Sequence, residues 1–263
     1  MRAKNTRIIA VANHKGGVGK TTSVANIGAA LMLTGAEVLL IDMDPQANLT
    51  QSLGVREPKA GIYEALRGVH PITPIKLMPT LQIVPASLDL GGAELELAGE
   101  PGREYILRDL IAPIASQYHY ILIDSPPALG LLTLNALCTA KEVLIPIQAE
   151  YLALHGLTKL GEIIDKIGRR VNKDLHVAGI FLTQYDSRKT LHRQIEESLQ
   201  KNYPELLLET KIRDNVTLAE APTAGLDIFR YRINSHGAQD YKELAKEIEQ
   251  LPKKKAKQNT PKL

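Results

Sequence analysis

The chain has 263 residues, 44% of them hydrophobic, with a formal net charge of +3 and a single cysteine. This suits a soluble domain with a sizeable core, and the lone thiol, Cys138, excludes an internal disulfide framework or a multi-thiolate metal site. Aromatics are only 4% and Trp is absent, so Leu, Ile, Val and Ala must build the core, as in an α/β protein.

Residues 1–7 are basic and polar, a lead-in to a first strand rather than a secretory signal. The strand is residues 7–13 (RIIAVAN). A Gly-rich turn follows, and residues 21–33 then place Val24, Ile27, Ala30 and Leu31 at helical spacing. Further buried strands are expected at 37–42 (EVLLID), 81–85 (LQIVP), 120–124 (YILID), 142–147 (EVLIPI) and 176–182 (HVAGIFL). Helices are expected at 87–97, 103–115, 131–140, 156–171, 191–202 and 237–250. Continuous apolar strands mean that both sheet faces are covered. The β–α alternation predicts an α/β fold: a doubly wound, mostly parallel sheet flanked by helices.

No fixed-period repeat and no Pro/Ser-rich linker divides the chain. The one compositional break follows Leu251, and Pro252 stands where the last helix should stop. Residues 1–251 are therefore expected to form one domain and 252–263 a basic, disordered tail. That tail holds Lys253, Lys254, Lys255, Lys257 and Lys262 and no acid; without those five lysines the charge of +3 becomes −2. The alkaline balance thus belongs to the tail and does not mark the folded body as a basic nucleic-acid binder. No apolar stretch is long enough to span a bilayer, and a cytoplasmic location is expected.

The strongest local signal is Lys15-Gly16-Gly17-Val18-Gly19-Lys20-Thr21-Thr22, set between a strand and a helix. Glycines let backbone N–H groups turn inward around phosphates, and a helix N-terminus adds its positive end. Lys20 can reach β- and γ-phosphates, the Thr21 hydroxyl can ligate Mg²⁺, and Thr22 can donate to an α-phosphate. Two aspartates complete the pattern. Asp124 ends the strand YILID before Ser125-Pro126-Pro127, and Asp44 follows VLLID in Asp42-Met43-Asp44-Pro45-Gln46. Both fall at carboxyl ends of parallel strands, where α/β sheets bind ligands. Asp42 reads as mainly structural. Cys138 sits on an apolar helix as a core residue; His14 could sit near a nucleotide, though an ordinary loop histidine is the commoner case; and His119, His155 and His192 have no metal-ligand spacing.

His14 stands where the usual phosphate loop has its first glycine, and Lys15 adds a second lysine. The pattern K-G-G-x-G-K-T-T resembles that of the deviant Walker A ATPases, the ParA/MinD family of P-loop NTPases. Three further segments resemble the chromosomal ParA, or Soj, branch: Ile145 to Leu154 (P-x-Q-x-E-x-x-A-L), Ser125 to Leu137, and Leu218-Ala219-Glu220-Ala221-Pro222. The chain begins almost directly at its first strand, which resembles the short form lacking an N-terminal helix-turn-helix domain.

This resemblance implies an ATPase with ATP and Mg²⁺ as cofactors. Asp124 matches the Walker B acid that holds the Mg²⁺ shell through water, and Asp44 the residue that positions or deprotonates the attacking water. Lys15 matches the lysine that reaches the nucleotide of the other subunit. It further implies an ATP-dependent homodimer that binds double-stranded DNA without sequence preference at the nucleoid. A ParB/Spo0J-type centromere-binding partner would stimulate its hydrolysis. Candidate DNA contacts are Arg188, Lys189, Arg193, Arg230 and Arg232. Some Soj proteins carry an arginine just before L-x-E-A-P; here that position is Thr217, and the nearby arginine is Arg213.

Two alternatives share the loop. A MinD-like protein attaches to membranes through a C-terminal amphipathic helix. The tail here has lysines but no Phe, Trp or Ile, and only a final Leu263, so no membrane partner is expected. A scaffold-type ATPase that positions a protein cargo stays open. The related iron–sulfur reductases need two cysteines per subunit, which one cysteine cannot supply.

Overall fold

The computed structural model describes residues 6–150 and 153–252. The expected tail thus lies, from Lys253 onward, outside the described residues, as do Tyr151 and Leu152.

The strands are β1 (Arg7–Val11), β2 (Val38–Asp42), β3 (Ile75–Met78), β4 (Leu81–Val84), β5 (Tyr120–Asp124), β6 (Glu142–Gln148) and β7 (His176–Thr183). They form one sheet in the order β3-β4-β2-β5-β1-β6-β7. Every pairing is parallel except β3–β4. The helices are α1 (Lys20–Leu33), α2 (Asn48–Ser52), α3 (Ile62–Leu66), α4 (Leu90–Glu96), α5 (Ile106–Ile111), α6 (Leu131–Thr139), α7 (Ala153–Arg170), α8 (Thr190–Asn202), α9 (Val216–Glu220), α10 (Ile228–Arg232) and α11 (His236–Gln250).

Strand side chains alternate between two apolar faces. Ile9, Val11, Leu40, Leu122, Leu144 and Phe181 pack with Val24, Ile27 and Leu31 of α1 and Tyr241, Leu244 and Ile248 of α11. On the other face, Leu39, Ile41, Ile121 and Ile123 meet α3, α4, α5 and α6. Val143, Ile145, Ile180 and Leu182 meet α7 and α8. The doubly wound sheet read from the sequence is therefore present, with helices on both faces.

A buried ion pair ties the two ends of the fold together. Arg7 of β1 donates through Nε to Glu142 Oε1 of β6 at 2.9 Å, and its Nη1 donates to the carbonyl of Ile248 in α11 at 2.6 Å.

Some elements differ from the sequence expectation. β3 is an additional antiparallel edge strand, four residues long between Pro74 and Pro79. The helix expected at 103–115 breaks into a 3₁₀ turn (Arg103–Tyr105), α5 and a second 3₁₀ turn (Ala115–Gln117). Pro113 brings no N–H and its ring crowds the preceding turn, so a helix cannot run through it. The helix expected from residue 87 starts at Leu90, after a turn through Ser87, Leu88 and Asp89.

Candidate active site

The carboxyl ends of three adjacent strands place the site. Val11 of β1 and Asp42 of β2 both stand in register with Asp124 of β5. The loop after β1 rises from this edge and feeds directly into α1.

Gly17 (φ 75°) and Gly19 (φ 82°) take left-handed backbone, which L side chains adopt only with strain. Gly19 precedes α1, and its carbonyl accepts the Ser23 N–H at 2.9 Å. The N–H groups of Lys20, Thr21 and Thr22 lie in the first turn, where a helix offers no partner of its own. Such N–H groups, with the positive end of the helix, suit an anion such as phosphate.

Neighbouring strands hold the loop in shape. Asn13 Nδ2 donates to the carbonyl of Pro146 at 2.8 Å, and Asn13 Oδ1 accepts the Lys15 N–H at 3.0 Å. From the end of β7, the Thr183 hydroxyl donates to the carbonyl of Val18 and Gln184 Nε2 to that of Gly17, both at 2.9 Å. Gln184 is itself left-handed, at φ 50°. The Lys20 ammonium donates to the carbonyl of Lys15 at 3.1 Å, so it is folded back over the loop.

An open cleft of about 1060 Å³ runs in front of the loop, lined by Gly16, Lys20, Thr21, Asp44, Ser87 and Pro222 among others. Asp124, which interacts with Thr21 and Lys20 of the lining, is 0% exposed, and neither carboxylate oxygen makes a hydrogen bond of good geometry. Burial raises its pKa well above the ordinary carboxylate range, and the Asp42 and Asp44 carboxylates add to this. The Thr21 hydroxyl and the Lys20 ammonium oppose that rise without cancelling it. Burial in turn lowers the pKa of Lys20, against the pull of Asp124 and Asp44.

Asp42 is satisfied by the protein itself. Oδ1 accepts the Asp44 N–H at 3.1 Å, and Oδ2 accepts the N–H and hydroxyl of Thr50 at 2.9 and 2.7 Å. The Thr50 oxygen then accepts the Ala86 N–H at 2.9 Å, so Asp42 braces the loops after β2 and β4. Asp44 accepts only the Gln46 N–H, at 2.9 Å through Oδ1, and lines the cleft.

An orphaned carboxylate at 0% exposure beside a threonine hydroxyl is an oxygen donor set suited to Mg²⁺, held partly through water. Among the described residues no group of three or more His, Cys, Asp or Glu side chains could hold a metal alone. A Mg²⁺ ion bound with a nucleotide takes its further ligands from phosphate and water.

Residues 6–177 match a family model described as an AAA domain. The chain is 44% identical to the chromosome partitioning protein ParA of Myxococcus xanthus, covering 97% of this chain and 90% of that protein. It is 41% identical to the sporulation initiation inhibitor protein Soj of Bacillus subtilis, covering 92% and 98%. The chain belongs to the ParA/Soj family of partition ATPases.

Solved structures agree with that placement. A cobyrinic acid a,c-diamide synthase from Mycobacterium smegmatis, with bound ADP and magnesium, is 38% identical with a TM-score of 0.80, covering 92% of this chain and 93% of that one. The cell division ATPase MinD of Pyrococcus furiosus is 28% identical with a TM-score of 0.78, covering 92% and 98%. Like other ParA/Soj proteins, the chain is an ATPase that uses Mg²⁺-ATP.

Gly16, Gly17, Gly19, Lys20, Thr21, Thr22 and Asp44 line the cleft, and Asp124 lies buried beside Thr21 and Lys20. Lys15 instead points along the loop to Glu150, with which it forms an ion pair; the two side chains are 39% and 47% exposed. The candidate DNA contacts fall into two places. Arg188, Lys189 and Arg193 cluster at the start of α8. Arg188 is 88% exposed and donates twice to Asp186 at 2.9 Å, while Arg193 caps the carbonyls of Ser187 and Arg188 at 2.7 and 3.1 Å. Arg230 and Arg232 lie on α10. Arg232 is exposed, whereas Arg230 is paired with the buried Asp227 and its Nη2 is itself buried. Arg230, whose side chain is 26% exposed, is thus committed to Asp227, unlike the free DNA contact expected from the sequence. Arg213 is likewise claimed by Asp240, at 2.6 Å.

Thr183 and Gln184 escaped sequence reasoning, although they clamp the loop. Their one signal was position: a polar pair directly after a buried apolar strand at the carboxyl edge.

Proposed function

We propose that this ParA/Soj-family chain is a nucleotide switch for partition of a chromosome or plasmid. It dimerises on Mg²⁺-ATP, binds DNA without sequence preference, and is reset when a ParB-type centromere-binding partner stimulates hydrolysis. Its place is then the cytoplasm, at the nucleoid. The observation that carries the reading is the fully buried, unpaired Asp124 beneath a phosphate loop whose second lysine, Lys15, lies outside the cleft.

Each role follows from position. The N–H groups from Gly16 to Thr22 surround the phosphates, and Lys20 leaves the Lys15 carbonyl to meet the β- and γ-phosphates. Thr21 and Asp124, the latter through water, hold Mg²⁺, which when bound neutralises charge on the phosphate oxygens. Asp44, with one carboxylate oxygen uncommitted, orients the attacking water and takes its proton. Lys15 exchanges Glu150 for the nucleotide of the second subunit. The cluster Arg188, Lys189 and Arg193, with Arg232, offers contacts to DNA phosphates.

The test is DNA binding by wild type and Asp44→Ala with no nucleotide, ADP or ATP across a salt series. Binding should appear only with ATP, persist in Asp44→Ala while turnover is lost, and weaken steeply with salt. Absence of DNA binding under every nucleotide would move the cargo to a protein or a membrane and leave the ATPase intact.

A further inference from the structure

The turn that follows β4 carries a hydroxyl with no structural duty. Ser87 stands in the wall of the nucleotide cleft, yet its Oγ is buried and has no hydrogen-bond partner. A serine just before a helix ordinarily caps it, but no side chain caps α4, whose preceding residue is Asp89. Ser87 contributes only its carbonyl, which accepts the Leu90 N–H at 3.1 Å.

Its neighbours are set by the sheet. β2 and β4 pair in register from Val38–Leu81 to Ile41–Val84, and the loops that follow them bring Asp44 and Ser87 into the lining of the same cleft. The two loops are held side by side beyond the strands. Thr50 joins Ala86 to Asp42, and a Cβ added at Gly91 of α4 would stand 3.8 Å from Pro45. The segment bearing Ser87 is therefore fixed against the segment bearing Asp44.

We propose that Ser87 is a second water-positioning residue of the ATPase, acting with Asp44 in the cleft that both line; this rests on the role assigned to Asp44 above. A buried, unpaired hydroxyl is costly, and for this role rotation to another staggered position must bring Oγ to the cleft that Ser87 lines. There it holds the attacking water while Asp44 takes the proton. The water oxygen bonds to the γ-phosphorus, the bond to the β–γ bridging oxygen breaks, and ADP leaves with that electron pair. A hydroxyl accepts as well as donates, so Ser87 fixes the orientation of the water rather than its charge.

The experiment measures single-turnover hydrolysis, ATP affinity and melting temperature for Ser87→Ala, Ser87→Thr, Asp44→Ala and the double variant Ser87→Ala/Asp44→Ala. Ser87→Ala should slow hydrolysis by at least about tenfold with ATP affinity and melting temperature unchanged. Ser87→Thr, which keeps the hydroxyl, should restore most of the rate, and Ser87→Ala should add nothing once Asp44 is gone. A Ser87→Ala rate within about twofold of wild type overturns the proposal, on the RT-scale spread of surface substitutions. So does a slower rate that Ser87→Thr fails to restore, or one matched by weaker ATP binding, either of which marks a packing role. Undiminished hydrolysis by Asp44→Ala alone would remove Asp44 from the reaction, and Ser87 would still be judged by its own Ala and Thr variants.

Discussion

Three aspartates share one sheet edge and have different fates because their surroundings differ. Asp124 makes no hydrogen bond of good geometry, the Asp44 carboxylate accepts one, and Asp42 has three donors and is 0% exposed. Burial raises the Asp42 pKa to about 6, helped by the Asp44 carboxylate and opposed by the Thr50 and Asp44 hydrogen bonds. A carboxyl group whose pKa is higher folded than unfolded stabilises the protein fully at low pH, and that contribution is lost as pH rises through the folded pKa. Asp42 should therefore cost stability progressively between about pH 4 and pH 6, by about 2–3 kcal/mol in all. Asp42→Asn cannot ionise, so wild type should lose that much relative to it over this range, read by urea unfolding at several pH values. A constant difference would mean that Asp42 titrates alike in both states.

At the scale of elements, the Arg7–Glu142 pair joins β1, β6 and α11. Glu142→Ala would leave the Arg7 guanidinium buried without a counter-charge, which costs about 3–5 kcal/mol. Denaturant unfolding should report that loss, and replacing both partners with apolar residues of similar volume should recover much of it. The long buried strands were legible in the sequence because each is a continuous apolar run. β5, residues 120–124, was bounded correctly by composition alone. β3 was not, since Ile75–Met78 is half-buried and gains its meaning from pairing with β4. Helices α2, α3, α9 and α10 have five residues each, too few to display a period. The phosphate loop, Asp44 and Asp124 could be read because their chemistry is local to short segments. Thr183, Gln184 and Ser87 could not, because strand order rather than neighbouring sequence brings them to the cleft.

For the molecule as a whole, the proposed switch makes Lys15 the residue whose partner would change with state. In the single chain it pairs with Glu150 on the surface, a contact that contributes little when exposed. In the proposed dimer, exchanging it for a nucleotide enclosed between two subunits would be favourable in a way that the exposed pair is not. Lys15→Ala should therefore weaken the ATP-dependent dimer by about 2–5 kcal/mol, visible by sedimentation in the presence of ATP. An unaltered dimer would confine Lys15 to its own subunit. No helix among the described residues is long and apolar enough to cross a membrane.

Helix α11 carries a consequence for how the protein is made. Its Tyr241 hydroxyl shares a hydrogen bond of 3.0 Å with Ser23, three residues past Lys20, and its Ile248 carbonyl receives Arg7 at the start of β1. The first strand and the helix that presents the phosphate loop are thus covered by a segment synthesised more than two hundred residues later. A ribosome will have emitted the whole lysine-bearing loop long before the surface that steadies it exists. Vectorial synthesis gives this ATPase a late start: a nascent chain stalled ahead of Ser235 holds every loop residue needed for ATP yet lacks the packing that keeps them in place.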